Sequence, residues 1–222
     1  MLLVEKWNRL LEDTPDHVLL IGVLGERWSV RSINDRSIIW SERLRTIPGM
    51  AGRMVGFSLP NGPDWIGLFI AILRAGAVAM PLDPVGGKSG ADALVKSLGG
   101  AAYIDEMSLN AWPTSGRRLP PGICLAKMTS GSTGTPGRFC FTHSEMDADG
   151  RQIENGMDIR PGDINFAVIP FGHSYGLGNF VMPLLRSGTP VALGRSIVPR
   201  ELVADLKATR ATVLPAVPPI IH

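Results

Sequence analysis

The chain has 222 residues, 45% hydrophobic and 19% charged, with a formal net charge of +2. That is enough apolar material for one sizeable core or two small ones. It is too small a basic excess for a nucleic-acid surface, and its scattered Lys and Arg residues form no polybasic membrane patch.

The start, Met1 to Trp7, has no basic leader before an apolar run, so no signal peptide is predicted. Leu3, Trp7, Leu10 and Leu11 recur at helical spacing and predict an amphipathic helix. The branched run Val18 to Val23, the turn Leu24 to Arg27 and the segment Trp28 to Val30 predict a hairpin, followed by a helix over 33–44. Met54 to Leu59 reads as a strand. Asn61-Gly62-Pro63-Asp64 reads as a turn opening a helix through Arg74, with Asp64 as a capping residue. A buried strand over 77–81, a helix over 91–98 and a strand over 101–104 follow. The longest apolar segment, Trp65 to Met80, is interrupted by Gly67, Arg74 and Gly76, and is too short to span a bilayer.

Residues 105–122 read as a break, with Pro113, Pro120 and Pro121 marking an exposed connection. Strand and helix then alternate again. Strands are expected at 123–128, 138–141, 165–169, 190–193 and 212–214. Helices are expected at 143–156 (capped by Thr142), 177–186 and 200–208, with one more starting at 217. The rhythm predicts an α/β fold with parallel-rich sheets layered with helices. Expected boundaries are a first lobe at 1–112, a connection at 113–122 and a second segment at 123–222. The final residues are apolar without a polar tail, so His222 is expected to be a truncation point. Cys124 and Cys140 lie in strand-like runs with no metal spacing around them. They read as free buried thiols suited to a reducing, cytoplasmic setting. Asp147, Asp149, Asp158 and Asp163 are dispersed, so no protein-borne metal is predicted.

The stretch with most chemical content is Thr129-Ser130-Gly131-Ser132-Thr133-Gly134-Thr135-Pro136-Gly137. It places three glycines and five hydroxyl residues in nine positions between two strands. Glycines allow close backbone approach, and N–H and hydroxyl donors with no nearby carboxylate suit phosphate oxygens. A Gly/Ser linker is the plain alternative, disfavoured because strands flank the stretch on both sides. It is not a Walker A loop, because Pro136 stands where that motif needs its second glycine.

Ser130 to Pro136, with Leu125 to Met128 before it and Phe141-Thr142-His143 after, resembles the signature phosphate loop of adenylate-forming (AMP-binding) enzymes. These include acyl-CoA synthetases, firefly-type luciferases and peptide-synthetase adenylation domains. The resemblance continues in order at Met54 to Pro63, Ile72 to Pro84, Ile169 to Leu177, Arg186 to Val191 and Ala211 to Pro215. It implies the first part of the large N-terminal domain of an acid–thiol ligase. ATP with Mg²⁺ activates a carboxylic acid to an acyl-adenylate. Coenzyme A or a phosphopantetheine carrier arm, the latter on a carrier protein, then accepts the acyl group. Thr129, Ser130, Gly131, Ser132, Thr133, Gly134 and Thr135 would hold phosphates. His173 would stand between the nucleotide and acyl sites as the catalytic candidate, with Ser174, Tyr175 and Gly176 lining the acyl pocket. The family's lysine after the loop is replaced by Gly137, and Arg138 is expected to substitute for it from the next position. The family's later motifs and small domain have no counterpart in these residues, so the chain alone is expected not to complete adenylation.

Two rival readings remain. Gly172-His173-Ser174-Tyr175-Gly176 also fits the Gly-x-Ser-x-Gly elbow of α/β-hydrolases, with Ser174 as nucleophile and Asp205 and His222 following in the required order. Against it, Pro170 interrupts the approaching strand and His222 is the last residue. The other is a non-catalytic scaffold whose exposed apolar face is covered by a second copy, a partner or the missing second half.

Overall fold

A computed structural model of the protein describes residues 1–83, 90–113, 118–128 and 138–218. In chain order the elements are α1 (Leu2–Asp13), β1 (Val18–Gly22), β2 (Arg27–Ser29), α2 (Val30–Leu44), β3 (Met54–Ser58), α3 (Pro63–Arg74) and β4 (Val78–Pro81). Next come α4 (Ala91–Ser97), β5 (Ala102–Asp105), β6 (Leu109–Ala111), β7 (Ile123–Met128), β8 (Arg138–Thr142) and α5 (His143–Gly156). The last are β9 (Asn165–Ala167), α6 (Ser174–Gly176), a π-helical turn (Leu177–Val181), α7 (Met182–Ser187), β10 (Val191–Leu193) and α8 (Pro199–Thr209).

The strands form two sheets. One is six-stranded in the order β6-β5-β3-β4-β7-β8. The other is four-stranded in the order β2-β1-β10-β9. In the larger sheet β5, β3, β4 and β7 are parallel, with β6 and β8 as antiparallel edges. In the smaller one β1, β10 and β9 are parallel and β2 is the antiparallel edge. This is the expected α/β class with parallel-rich sheets.

Both sheets draw strands from both sides of residues 113–122. Leu20 on β1 pairs with Val191 on β10, and Ala79 on β4 pairs with Leu125 on β7. The expected boundary therefore does not divide the sheets. Three further expectations are corrected. The break at 105–122 contains β6, paired with β5 through Ile104 and Leu109. The strand expected at 212–214 is a single bridge between Val213 and Asn165. Asp64 is not a cap: α3 starts after Gly62 with Pro63 in its first turn, and Asp64 pairs with Arg36 at 2.6 Å instead.

The central apolar cluster lies between the sheets. Every residue from Trp65 to Leu73 on α3 is buried, which explains why this helix reads apolar on all sides. Trp65 contacts Phe57 of β3, Phe69 one turn along, and Phe171, with ring centroids 5.1, 5.3 and 5.6 Å away. Phe171 belongs to the loop between β9 and α6, so the core itself holds that loop in place. Cys124 is buried and Cys140 half-buried, and both are free thiols.

Candidate functional site

The site forms where the β7–β8 hairpin, the first turns of α5 and the start of α6 converge. The register pairs Leu125 with Phe141 and Lys127 with Phe139. Alternation along β7 sends Ala126 and Met128 to the cluster beneath α4 and leaves Leu125 and Lys127 facing the other way. α5 begins with a capping box. The Glu145 amide donates to the Thr142 hydroxyl at 3.2 Å, and the Thr142 amide donates to the Glu145 carboxylate at 2.7 Å. The Thr142 amide, together with the Thr142 hydroxyl that donates to the same carboxylate at 2.8 Å, holds the Glu145 carboxyl below the usual carboxylate range.

The loop from Ile169 to His173 is tied down from three directions. Asn61 donates to the Ile169 carbonyl at 2.9 Å and accepts from the Phe171 amide at 2.6 Å. The Lys127 ammonium donates to the Gly172 carbonyl. The His173 amide closes a turn onto the Pro170 carbonyl at 3.0 Å. Gly176 packs so closely that a Cβ would stand 2.1 Å from the Pro170 carbonyl oxygen. At Gly178 a Cβ would meet Ile153 at 2.9 Å and the Asp149 carboxylate at 3.2 Å.

Between these elements lies a cavity of about 510 Å³ lined by Leu125, Lys127, Phe141, Asp149, Ser174 and Gly178, among others. It is concave and largely apolar with a few convergent polar groups, as small-molecule sites are. Burial pushes the Lys127 ammonium down to about 8, opposed by the charge of Asp83. Burial also raises the Asp149 carboxyl.

Several expected site residues can be located. Ser174 is exposed at the cavity wall. His173 is exposed beside it as the residue preceding α6, with no side-chain cap hydrogen bond. Tyr175 turns away, its hydroxyl donating to the Ala216 carbonyl at 3.2 Å. Gly176 is buried, and its role is close packing on Pro170. Arg138 stands on the opposite face of the hairpin from the cavity, directed at the Leu98 carbonyl at 3.5 Å and the Met54 sulfur at 3.7 Å. The phosphate-loop residues Thr129, Ser130, Gly131, Ser132, Thr133, Gly134 and Thr135 lie outside the described residues. Lys127 was not among the expected site residues. Its signal was a lysine inside the apolar run Ile123 to Met128, at a position whose neighbours on both sides face a core.

The hydrolase reading does not survive this geometry. β9 ends at Ala167, so no strand leads directly into Ser174. Asp205 is 1% exposed and bound by Arg195, whose guanidinium reaches it at 2.5 Å. His222 lies outside the described residues.

Residues 122–222 match the family described as AMP-binding enzyme. Feruloyl-CoA synthase of an Amycolatopsis species is 26% identical over 198 residues, covering 79% of this chain and 40% of that protein. The chain thus spans about 40% of the length of the first curated relatives it matches. Among solved structures, the N-terminal subdomain of Klebsiella oxytoca NpsA in complex with 3-hydroxybenzoyl-AMSN superposes with a TM-score of 0.77 at 16% identity. That match covers 95% of this chain and 58% of that one. The Bacillus subtilis o-succinylbenzoate CoA synthetase, in complex with the acyl-adenylate intermediate OSB-AMP, superposes with a TM-score of 0.78 at 14% identity. It covers 94% of this chain and 60% of that one. These structural likenesses establish the fold.

Proposed function

We propose that this chain, whose residues 122–222 match the AMP-binding enzyme family, is an N-terminal part of an adenylate-forming enzyme and supplies the acid-binding part of an AMP-forming acid–thiol ligase. ATP, with Mg²⁺ arriving on its phosphates, activates a carboxylic acid to an acyl-adenylate, and coenzyme A or a carrier arm accepts the acyl group. The observation that carries this reading is the cavity beside Ser174, lying on one face of the paired strands β7 and β8, the two strands that flank Thr129–Gly137 in the sequence.

In this reading Thr129 to Thr135 bind phosphate through backbone and hydroxyl donors. His173 and Ser174 border the acid, and Leu125, Phe141, Met146 and Leu177 enclose its apolar body. Work of this kind is positioning and charge stabilisation rather than covalent chemistry. The curated relatives include feruloyl-CoA synthase and 4-coumarate–CoA ligase, which supports an aryl acid as substrate. Among the described residues no helix is long and apolar enough to cross a membrane, and we place the reaction in the cytoplasm. The scaffold reading has no observation of its own in its favour.

Calorimetric titration of the chain with cinnamoyl-sulfamoyl-adenosine, a stable acyl-adenylate mimic, tests the reading. Saturable one-to-one binding, competed by AMP, is expected. A folded chain that binds neither compound contradicts it. Acid-dependent ATP–pyrophosphate exchange by this chain alone is expected to be absent, and robust exchange would show that the machinery is already complete.

A further inference from the structure

Among the described residues lining the cavity, Lys127 is the one cation. Its position is unusual for a lysine. Both its neighbours on β7, Ala126 and Met128, pack in the apolar cluster beneath α4, and its own side chain is half-buried. Lysine is rarely buried without a partner. The partner present is the Gly172 carbonyl, which accepts a hydrogen bond from Nζ. An ammonium has three donors, the Gly172 carbonyl takes one of them, and the side chain lines the cavity.

Charged neighbours come from each element around it. Asp83, after β4, acts on it favourably. Glu145 and Asp149 of α5 share the cavity, and His173 follows Gly172. Glu145 is occupied in the capping box of α5, and burial disfavours charge on Asp149. The cavity therefore combines one cation with walls of Leu125, Phe141, Met146 and Leu177. That combination matches an organic monocarboxylate: a flat apolar body against the walls and an anionic end at the lysine.

We propose that Lys127 is a substrate-binding residue that receives the carboxylate of the acid, its two remaining N–H groups donating to the carboxylate oxygens beside the Gly172–Ser174 backbone. The proposal rests on reading this cavity as the acyl site. An ammonium held near 8 by desolvation is restored to full charge by an anion at contact distance, so acid binding and protonation of Lys127 reinforce one another. Arg138, expected from the sequence to substitute for the family's loop lysine at the phosphates, stands across the sheet from the cavity, so the cation at the acid is Lys127.

The test uses the chain with cinnamate and its neutral isostere cinnamamide, titrated by NMR at pH 7 and pH 9 into wild type, Lys127→Met and Lys127→Arg. Lys127→Met is expected to weaken cinnamate by about tenfold or more while leaving cinnamamide unchanged. Wild-type affinity for cinnamate is expected to fall from pH 7 to pH 9 as the lysine loses its proton, and Lys127→Arg to remove that pH dependence. Three results overturn the proposal: wild type binding no cinnamate, Lys127→Met binding it as wild type does, or Lys127→Met losing acid and amide equally, the signature of a lysine that only clamps Gly172. AMP titrated into the same samples separates this proposal from the reading beneath it. AMP binding with lysine-independent acid binding sinks the lysine and keeps the adenylate site. Lysine-dependent cinnamate binding without AMP binding does the reverse.

Discussion

Individual side chains decide whether this cavity exists. A methyl group at Gly176 would stand 2.1 Å from the Pro170 carbonyl oxygen, and neither backbone can yield without moving the His173 loop. Gly176→Ala is expected to destabilise the chain by about 1–3 kcal/mol, read as a lower Tm. Lys127 gives a pH signature of its own. Its folded pKa is lowered, to about 8, against an ordinary value of 10.5. Between these values the unfolded chain binds more protons, so the lysine's contribution to stability rises with pH through that window. Lys127→Met removes the buried charge. The variant is expected to unfold at a higher temperature than wild type at pH 7, with the gap closing by about pH 10.5; a constant gap across that range would contradict the pKa assignment. The cation was visible in the sequence only as a lone lysine within an apolar strand. Which way it faced depended on the pairing of β7 with β8 and on what packed against each side. The direction of Arg138 depended on the same pairing. One step along a strand reverses the face, and Arg138 falls on the α4 side.

At the scale of elements, local signals were legible wherever a neighbouring residue supplied the stop or start. The start of α5 follows from Thr142 and Glu145, which satisfy each other's amides across the first turn. Thr142→Ala is expected to cost about 1 kcal/mol and to lower Tm by roughly 2–4 °C for a chain of this size. The Glu145 part of the cap has the opposite pH sign from Lys127. Its pKa is lowered, so its contribution is present above the ordinary value of 4.5 and is lost as pH falls through the folded value. β6 escaped notice because Leu109-Asn110-Ala111 is three residues long, too short for a period to be read, and its pairing with β5 makes it a strand. The helix expected at 177–186 starts earlier, at Ser174, and passes through a π-helical turn, which no residue pattern announces. Asn61 acts between elements, joining the turn before α3 to the loop before α6 through two backbone hydrogen bonds. Asn61→Ala leaves those groups unpaired and is expected to cost about 1–3 kcal/mol, with faster amide exchange at Phe171 than in wild type.

For the whole molecule, the α/β class was legible because strand–helix alternation is a local rhythm. The interleaving of the sheets was not. Leu20 meets Val191 and Val55 meets Ala102, pairings set by how helices pack over parallel strands rather than by any nearby residue. That interleaving ties the opening strand to the segment that follows the candidate site. Loss of β1 is therefore expected to destabilise the four-stranded sheet and, through the shared core around Phe171 and Phe180, the site itself. The central claim is that an acid and an adenylate meet where the β7–β8 hairpin approaches α6. Hydrogen–deuterium exchange with and without cinnamoyl-sulfamoyl-adenosine tests it most directly. Slower exchange is predicted in peptides covering 123–149 and 170–178, with little change in α8 and β2. Unchanged exchange in both peptides, or protection confined to residues remote from the hairpin, would contradict the assignment of this cavity as the activation site.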